Sequence, residues 1–166
     1  MFPAMQNPQI AVYTSAHLIR GEVAAGRTRL SDLVNDTSTS YLEIHGATWH
    51  GLQSEGEADG SAARLTVRKE EIHLAIPMDV SSVTAARTST QQVPLDLCIG
   101  MYVIRGALHR RPGDPTNLIS LLTGFSREFV PVSEAEIQYA PNPRIDTAAP
   151  VVLINTRRLH FWAQRS

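Results

Sequence analysis

The heptapeptide HLIRGEV at residues 17–23 returns as YVIRGAL at residues 102–108. The shared tripeptide Ile-Arg-Gly places Gly21 on Gly106, and Ile10 and Val12 fall on Leu95 and Leu97 at the same spacing. Self-similarity at a long, fixed spacing is the sequence mark of a repeated structural unit. Two copies of one unit are therefore expected.

The match continues downstream in two further blocks. Residues 30–49 correspond to residues 118–137, and the tripeptide Ile-His-Leu at 72–74 corresponds to Leu-His-Phe at 159–161. Insertions between the blocks are small. We expect a first repeat at 8–77 and a second at 93–166, joined by a linker at 78–92 that is rich in Ser, Thr and Ala.

Each copy has the same order of predicted elements. Two strands precede a short helix, which is marked by apolar residues at i, i+3 and i+4 at 30–34 and again at 118–122. Asp114 or Thr116 is a candidate cap for the second helix, and Gly124 a candidate stop. A bent strand follows, and two short strands close the unit.

The bend is predicted from a change of parity. Apolar residues alternate up to Ile44 and resume at Ala47, and the second copy makes the same change between Val132 and Ala135. A matched parity change is typical of a β-bulge. The fold class expected is mainly β (α+β), with two tandem small β-barrel or β-roll repeats of about five strands and one short helix each.

Two features resemble the SH3-like and Sm-like small barrels. One is the Gly-x-aliphatic pattern at 21–23 and 106–108, and the other is the closing pair of short strands around 68–72 and 156–159. Sm-like proteins carry an Asp and an Asn between their second and third strands. Here Asp32 and Asn35 stand on a predicted helix and Ser120 and Thr123 replace them in the second copy, so RNA binding is not carried over.

Composition excludes several classes of protein. Of the 166 residues, 43% are hydrophobic and 19% charged, with a net charge of −1. No stretch approaches the ~20 apolar residues of a membrane helix, and residues 1–8 lack the features of a secretory signal. Cys98 has no second cysteine to pair with, so a reducing, cytoplasmic setting is expected.

The strongest metal candidate is the set Glu43, His45 and His50 on one predicted strand. Five residues of extended chain span roughly 15 Å, which is too far for both histidines to share one ion. We expect these side chains to face solvent. No nucleotide-binding or hydrolase motif occurs, so neither catalytic nor cofactor residues are predicted.

His73 and His160 are the histidines at matched positions. A duplicated structural hydrogen bond is the expected role, and a pH-sensitive interface is the alternative.

Charge differs between the copies. Residues 8–77 carry six basic and nine acidic side chains, a net charge of −3, whereas residues 93–166 carry eight and six, a net charge of +2. The basic side chains form two clusters, one with Arg110 and Arg111 and one with Arg157 and Arg158 near Trp162. Together they are a candidate patch for anions or nucleic acid.

Three functions are consistent with these patterns. The leading hypothesis is a non-enzymatic binding or assembly module, built as an internal pseudo-dimer, that uses strand edges to hold a protein partner or another copy of itself. The alternative is nucleic-acid binding through the basic second repeat. The third is an enzyme with a site near His45 and His50.

Overall fold

The chain is built mainly from β-strands, as predicted. The computed structural model describes residues 7–24, 28–53, 59–78, 91–115, 117–123 and 127–166. The described residues form one open antiparallel sheet of ten strands together with two short helices.

The first half contains five strands and one helix. They are β1 (Gln9–Tyr13), β2 (His17–Glu22), α1 (Leu30–Asn35), β3 (Tyr41–Gly51), β4 (Gly60–Arg68) and β5 (Leu74–Pro77), with a 3₁₀ turn at Lys69–Glu71 before β5.

The second half follows the same order. It comprises β6 (Gln91–Ile99), β7 (Tyr102–Arg110), α2 (Leu118–Thr123), β8 (Phe129–Tyr139), β9 (Thr147–Asn155) and β10 (Leu159–Gln164), with 3₁₀ turns at Pro143–Ile145 and Thr156–Arg158.

The sheet runs in the order β10-β6-β7-β8-β9-β5-β1-β2-β3-β4. Within each half the fifth strand lies beside the first, and the second, third and fourth follow. The halves meet where β5 pairs with β9, with Leu74 opposite Ile154 and Ala75 opposite Leu153. Because the sheet continues from one half into the other, the structure does not confirm the prediction of two tandem barrels.

The predicted bulges are confirmed in β3 and β8. Gly46 and Glu134 have φ angles of 56° and 49°, in the left-handed region, and the pairing with the preceding strand shifts register beside each. The neighbouring strand carries a glycine beside each bulge. A Cβ on Gly21 would lie 2.7 Å from the His45 carbonyl oxygen, and one on Gly106 would lie 2.8 Å from that of Ser133. Glycine is required at both positions because the backbones approach so closely.

Both helices occur where their apolar spacing predicts them. In α1, Leu30 and Val34 are buried one turn apart on the same face. The start of α2 differs from the prediction, because Asn117 Oδ1 accepts a hydrogen bond from the Ile119 amide at 2.9 Å. The Asp114 carboxylate instead accepts from the Arg111 amide at 2.7 Å. Thr116 and Gly124 lie outside the described residues.

Two apolar cores form, and the first half contributes to both. Ile10 and Val12 pack into the core of the first half, whereas Ala11 and Tyr13 pack into the core that is built mainly by the second half. Strand β1 is therefore buried on both faces. Such strands read as continuous apolar runs, as IAVY does at residues 10–13.

Part of the predicted linker lies outside the described residues, namely residues 79–90. Its last two residues, Gln91 and Gln92, belong to β6. Among the described residues, no helix has the length and apolar character needed to cross a membrane.

Candidate functional site

A row of three apolar side chains crosses the first half where it meets the second. Tyr13 of β1 lies opposite Leu18 of β2 on one side and opposite Leu74 of β5 on the other. Residues opposite one another in antiparallel strands share a face of the sheet. All three are buried, and Leu74 has no exposed surface. We call this set the covered row.

Aromatic residues of the second half contribute to the cover. The rings of Tyr13 and Tyr102 meet edge to face with centroids 5.8 Å apart, and Tyr102 also contacts Tyr139. The Tyr102 hydroxyl donates a hydrogen bond to the Thr14 carbonyl oxygen at 2.7 Å. Burial raises the pKa of Tyr102 far above its ordinary value, so this hydroxyl remains a donor throughout the physiological range.

Two asparagines lock the strand junction. Asn155 is fully buried, donates through Nδ2 to the Ile72 carbonyl oxygen at 2.9 Å and donates through its backbone amide to the His73 carbonyl oxygen at 3.0 Å. Asn35 at the end of α1 makes a two-way bond with the Phe129 backbone, accepting at 2.9 Å and donating at 3.0 Å. These bonds fix the position of one half on the other.

Arginines close the same junction from outside. Arg158 donates to the Glu70 carbonyl oxygen from Nε at 2.9 Å and from Nη2 at 2.6 Å, and its Nη2 lies 3.9 Å from a Glu71 carboxylate oxygen. Arg157 pairs with Glu128 of its own half at 2.7 Å. Arg157 and Arg158, two of the four arginines in the predicted anion patch, thus contact an acidic side chain or a carbonyl oxygen near the junction.

The rest of the predicted patch lies elsewhere. Arg110 ends β7 and bonds Gln91 of β6, and the Arg111 amide bonds Asp114. Trp162 lies on β10 opposite Leu97 and packs partly buried against the second core. The structure therefore distributes the five predicted residues among the end of β7, the turn after β9 and the edge of the sheet.

The second half has an equivalent row at the matched positions. Cys98 of β6 lies opposite Val103 of β7 and opposite Phe161 of β10, in the positions of Tyr13, Leu18 and Leu74. Here the row is open. Phe161 is 61% exposed, whereas its counterpart Leu74 is 0% exposed. We call these three residues the open row.

The outer edges of the sheet show the same contrast. Within the described ranges, β4 and β10 each have one strand neighbour. Tyr41, which begins β3 beside β4, is 51% exposed. Its counterpart Phe129 is 0% exposed at the junction, where Asn35 holds its backbone. Positions that the internal junction buries are thus exposed where the sheet ends.

The matched histidines differ in the same sense. His73 is buried and packs edge to face on Tyr102, with ring centroids 6.1 Å apart, while His160 is exposed. The Nδ1 atom of His73 is buried without a hydrogen-bond partner. Burial, with Arg158 nearby, lowers the pKa of His73 below its ordinary value. The predicted duplicated hydrogen bond is therefore not what these two side chains share.

The histidines of β3 pair with separate carboxylates. His45 Nε2 lies 2.7 Å from Glu43 Oε1, and His50 Nδ1 lies 3.3 Å from Asp59 Oδ2. Both histidine side chains are partly exposed, as predicted. The described residues contain no group of three or more His, Cys, Asp or Glu side chains arranged to hold a metal ion.

A cavity of about 230 Å³ lies where α1 and the turn after β4 face the second half. Lys69 is buried there, and its ammonium donates to the Asp36 carbonyl oxygen at 2.7 Å and to Thr39 Oγ1 at 3.1 Å. Burial lowers the pKa of Lys69, and the charges of Asp36 and Glu128 act in the opposite direction. Lys69 therefore has a structural role, since its ammonium ties the loop after α1 to the turn after β4.

Comparison with protein-family models, with curated proteins and with solved structures gives no match for this chain. The geometry of the chain itself is thus what bears on its function.

A signal for the covered row is present in the sequence of the first strand of each half. Strand β1 is apolar at four successive positions, IAVY, whereas its counterpart β6 alternates apolar and other residues in LDLC. A continuous run indicates a strand buried on both faces, and alternation indicates one face left uncovered. The difference between the two strands marks which one is covered on both faces.

Proposed function

We propose that the protein is a non-enzymatic binding and assembly module, made of two diverged copies of one small β unit, which holds an extended segment of a protein partner at the edges of its sheet. The observation that carries the proposal is the contrast between the two rows. The row at 13, 18 and 74 is covered, and the equivalent row at 98, 103 and 161 is open.

Several features support two copies of one unit. Both halves have the same strand order, and both place a left-handed residue at the bulge, Gly46 in one and Glu134 in the other. In both, the neighbouring strand has a glycine, Gly21 or Gly106, whose backbone lies too close to the bulge to admit a Cβ. Matching at this level of backbone detail favours duplication of one unit over two unrelated sheets.

The edge strand β10 has the composition of a pairing surface. An outer strand presents unpaired backbone donors and acceptors, and proteins that keep such edges unpaired usually protect them with charged residues or proline. The sequence LHFWAQ of β10 contains neither a proline nor an acidic, lysine or arginine side chain. An added strand would satisfy its backbone groups and cover Phe161.

The direct test uses a strand for which the fold already provides a binding mode. A labelled peptide of residues 147–158 contains β9, which pairs with the fifth strand of the first half, together with the turn after it. Offered in excess to the intact protein at high dilution, where the chains are separate, it should bind the fifth strand of the second half, β10. Fluorescence anisotropy should give saturable binding, and a peptide of scrambled sequence should not bind.

Matched variants locate the binding. Phe161→Asp places a charge on the exposed edge without opening a core and should weaken binding by about tenfold or more, or ~1.4 kcal/mol. Ile119→Asp changes a similarly exposed apolar side chain on α2 and should leave binding unchanged. Equal binding of the scrambled peptide, or unweakened binding to Phe161→Asp, would refute the proposal.

A further inference from the structure

The junction inside the chain joins two different edges. It pairs β9, the fourth strand of the second half, with β5, the fifth strand of the first half. The outer strands of the sheet are the remaining members of the same two kinds. Strand β4 is the fourth strand of the first half, and β10 is the fifth strand of the second.

We infer that the partner is a second copy of this chain, and that β4 of one copy pairs with β10 of the next in a repeat of the internal junction. This inference rests on the proposed function and names its partner. Continuity with the internal junction argues for it. One edge of the sheet has a fourth strand without a fifth-strand neighbour, and the other edge has a fifth strand without a fourth-strand neighbour.

The internal junction fixes the register of the new one. Leu74 lies opposite Ile154, so the corresponding pair is Phe161 of one copy opposite Val67 of the next. The bond from the Asn155 amide to the His73 carbonyl oxygen becomes a bond from the Arg68 amide to the His160 carbonyl oxygen. A shift by one residue would turn Val67 away from Phe161, so the register is testable.

Apolar surface is available on both partners. The second half presents Val103 and Phe161 of the open row. The first half presents Trp49 and Leu65, which are partly buried at the positions of the fully buried Ile137 and Val152. Pairing would remove these side chains from water, and apolar burial contributes roughly 25 cal/mol per Å².

Charge is complementary across the same contact. Inside the chain, Arg158 after the fourth strand of one half faces Glu71 before the fifth strand of the other. These two side chains already face each other inside the chain, so the complementarity between copies rests on the net charge of each half. The acidic half of one copy, with a net charge of −3, meets the basic half of the next, with a net charge of +2.

Because the contact joins two different edges, β4 and β10, each copy can bind a further copy at either edge. Such head-to-tail association gives a closed ring if the rotation closes and an open filament if it does not. In either form every internal β4 and β10 edge is paired, and the open row is covered at every contact.

Disulfide trapping tests the register directly. Leu74 and Ile154 lie next to the hydrogen-bonded pair of His73 and Asn155, so theirs is a non-bonded antiparallel pair, with Cα atoms about 4.5 Å apart. That separation lies within the range that a disulfide spans. The variant therefore combines Val67→Cys with Phe161→Cys, and Cys98→Ala removes the native thiol opposite Phe161.

Mild oxidation of the folded variant should give a ladder of disulfide-linked multimers, or a single closed species, on a non-reducing gel. Thr66→Cys with Phe161→Cys in the same background is the matched control, since residue 66 faces the opposite side of its strand and should give no ladder. Either single-cysteine variant should give at most a dimer. The unmodified chain, analysed by light scattering, should exceed the mass of one chain whatever the folding of the variants.

A Val67 and Phe161 pair that gives no more product than its controls would overturn the inference, as would a one-chain mass for the unmodified protein at all concentrations. Binding of the peptide of residues 147–158 to β10 in that case would leave the proposed function standing with a different partner. Failure of both experiments would overturn both.

Discussion

Leu74 and Phe161 occupy equivalent positions with opposite surroundings, and truncating each in turn separates stability from assembly. Leu74 is fully buried in the core that the halves share. Removing a buried leucine side chain to alanine costs about 2–5 kcal/mol. Since small proteins have a total stability of about 5–15 kcal/mol, Leu74→Ala is expected to lower the urea midpoint substantially.

Phe161→Ala removes a side chain that is already 61% exposed. Full burial of such a side chain is worth about 1.5–3 kcal/mol, so the part removed from water in one chain contributes roughly 1 kcal/mol or less. In urea unfolding at low protein concentration, Phe161→Ala should therefore lower the free energy of unfolding by at least ~1 kcal/mol less than Leu74→Ala does. The difference between the two variants should narrow as protein concentration rises, because association buries Phe161. Equal losses at low concentration would refute the assignment of covered and open rows.

Further variants test the bulge, the junction and its histidine. Gly21→Ala forces a methyl group against backbone and should cost about 1–3 kcal/mol of unfolding free energy. Gly46→Ala has open space and should cost only ~1–2 kcal/mol for its left-handed φ. A negligible loss for both variants in chemical denaturation would contradict the close approach of Gly21 to the bulge. Asn155→Ala leaves the Ile72 carbonyl oxygen without its bond and should cost about 1–3 kcal/mol, so thermal unfolding unchanged from the parent would count against the lock at the junction. Because folding lowers the pKa of His73, the free energy of unfolding should be at its full value above the unfolded pKa of about 6.5 and should decline as the pH falls below it. His73→Gln should flatten this decline, and a pH profile identical to that of the parent would exclude His73 as its source.

The sequence predicted the features that are written in local patterns. The parity change at Ile44 and Ala47 predicted the bulge because side chains alternate strictly along a strand. The shared tripeptide matched Gly21 with Gly106, and their common role follows from one contact that admits no Cβ. The repeat spacing carried these predictions from one half to the other.

The joining of the halves into one sheet could not be read in the same way. Pairing of β5 with β9 depends on which edges meet in space, and backbone hydrogen bonds carry little sequence information. Asn155 illustrates the difficulty, because its buried role at the junction has no counterpart in Arg68, the matched residue of the first half. The two halves differ most where one is covered and the other is not.

The positions of the candidate patch residues could not be read from the sequence for a related reason. Arg157 and Arg158 are close in sequence to Trp162, yet they sit at the junction with Glu128 and Glu70 as their partners. A linear cluster of basic residues does not by itself define a surface.

The measurement that tests the central claim most directly is the mass of the unmodified chain in solution, determined by light scattering over a series of concentrations. We expect masses that are multiples of one chain and that rise with concentration until assembly is complete. Phe161→Asp should return the protein to the mass of one folded chain, while Ile119→Asp should not. A one-chain mass for the unmodified protein at every concentration would contradict head-to-tail assembly through β4 and β10.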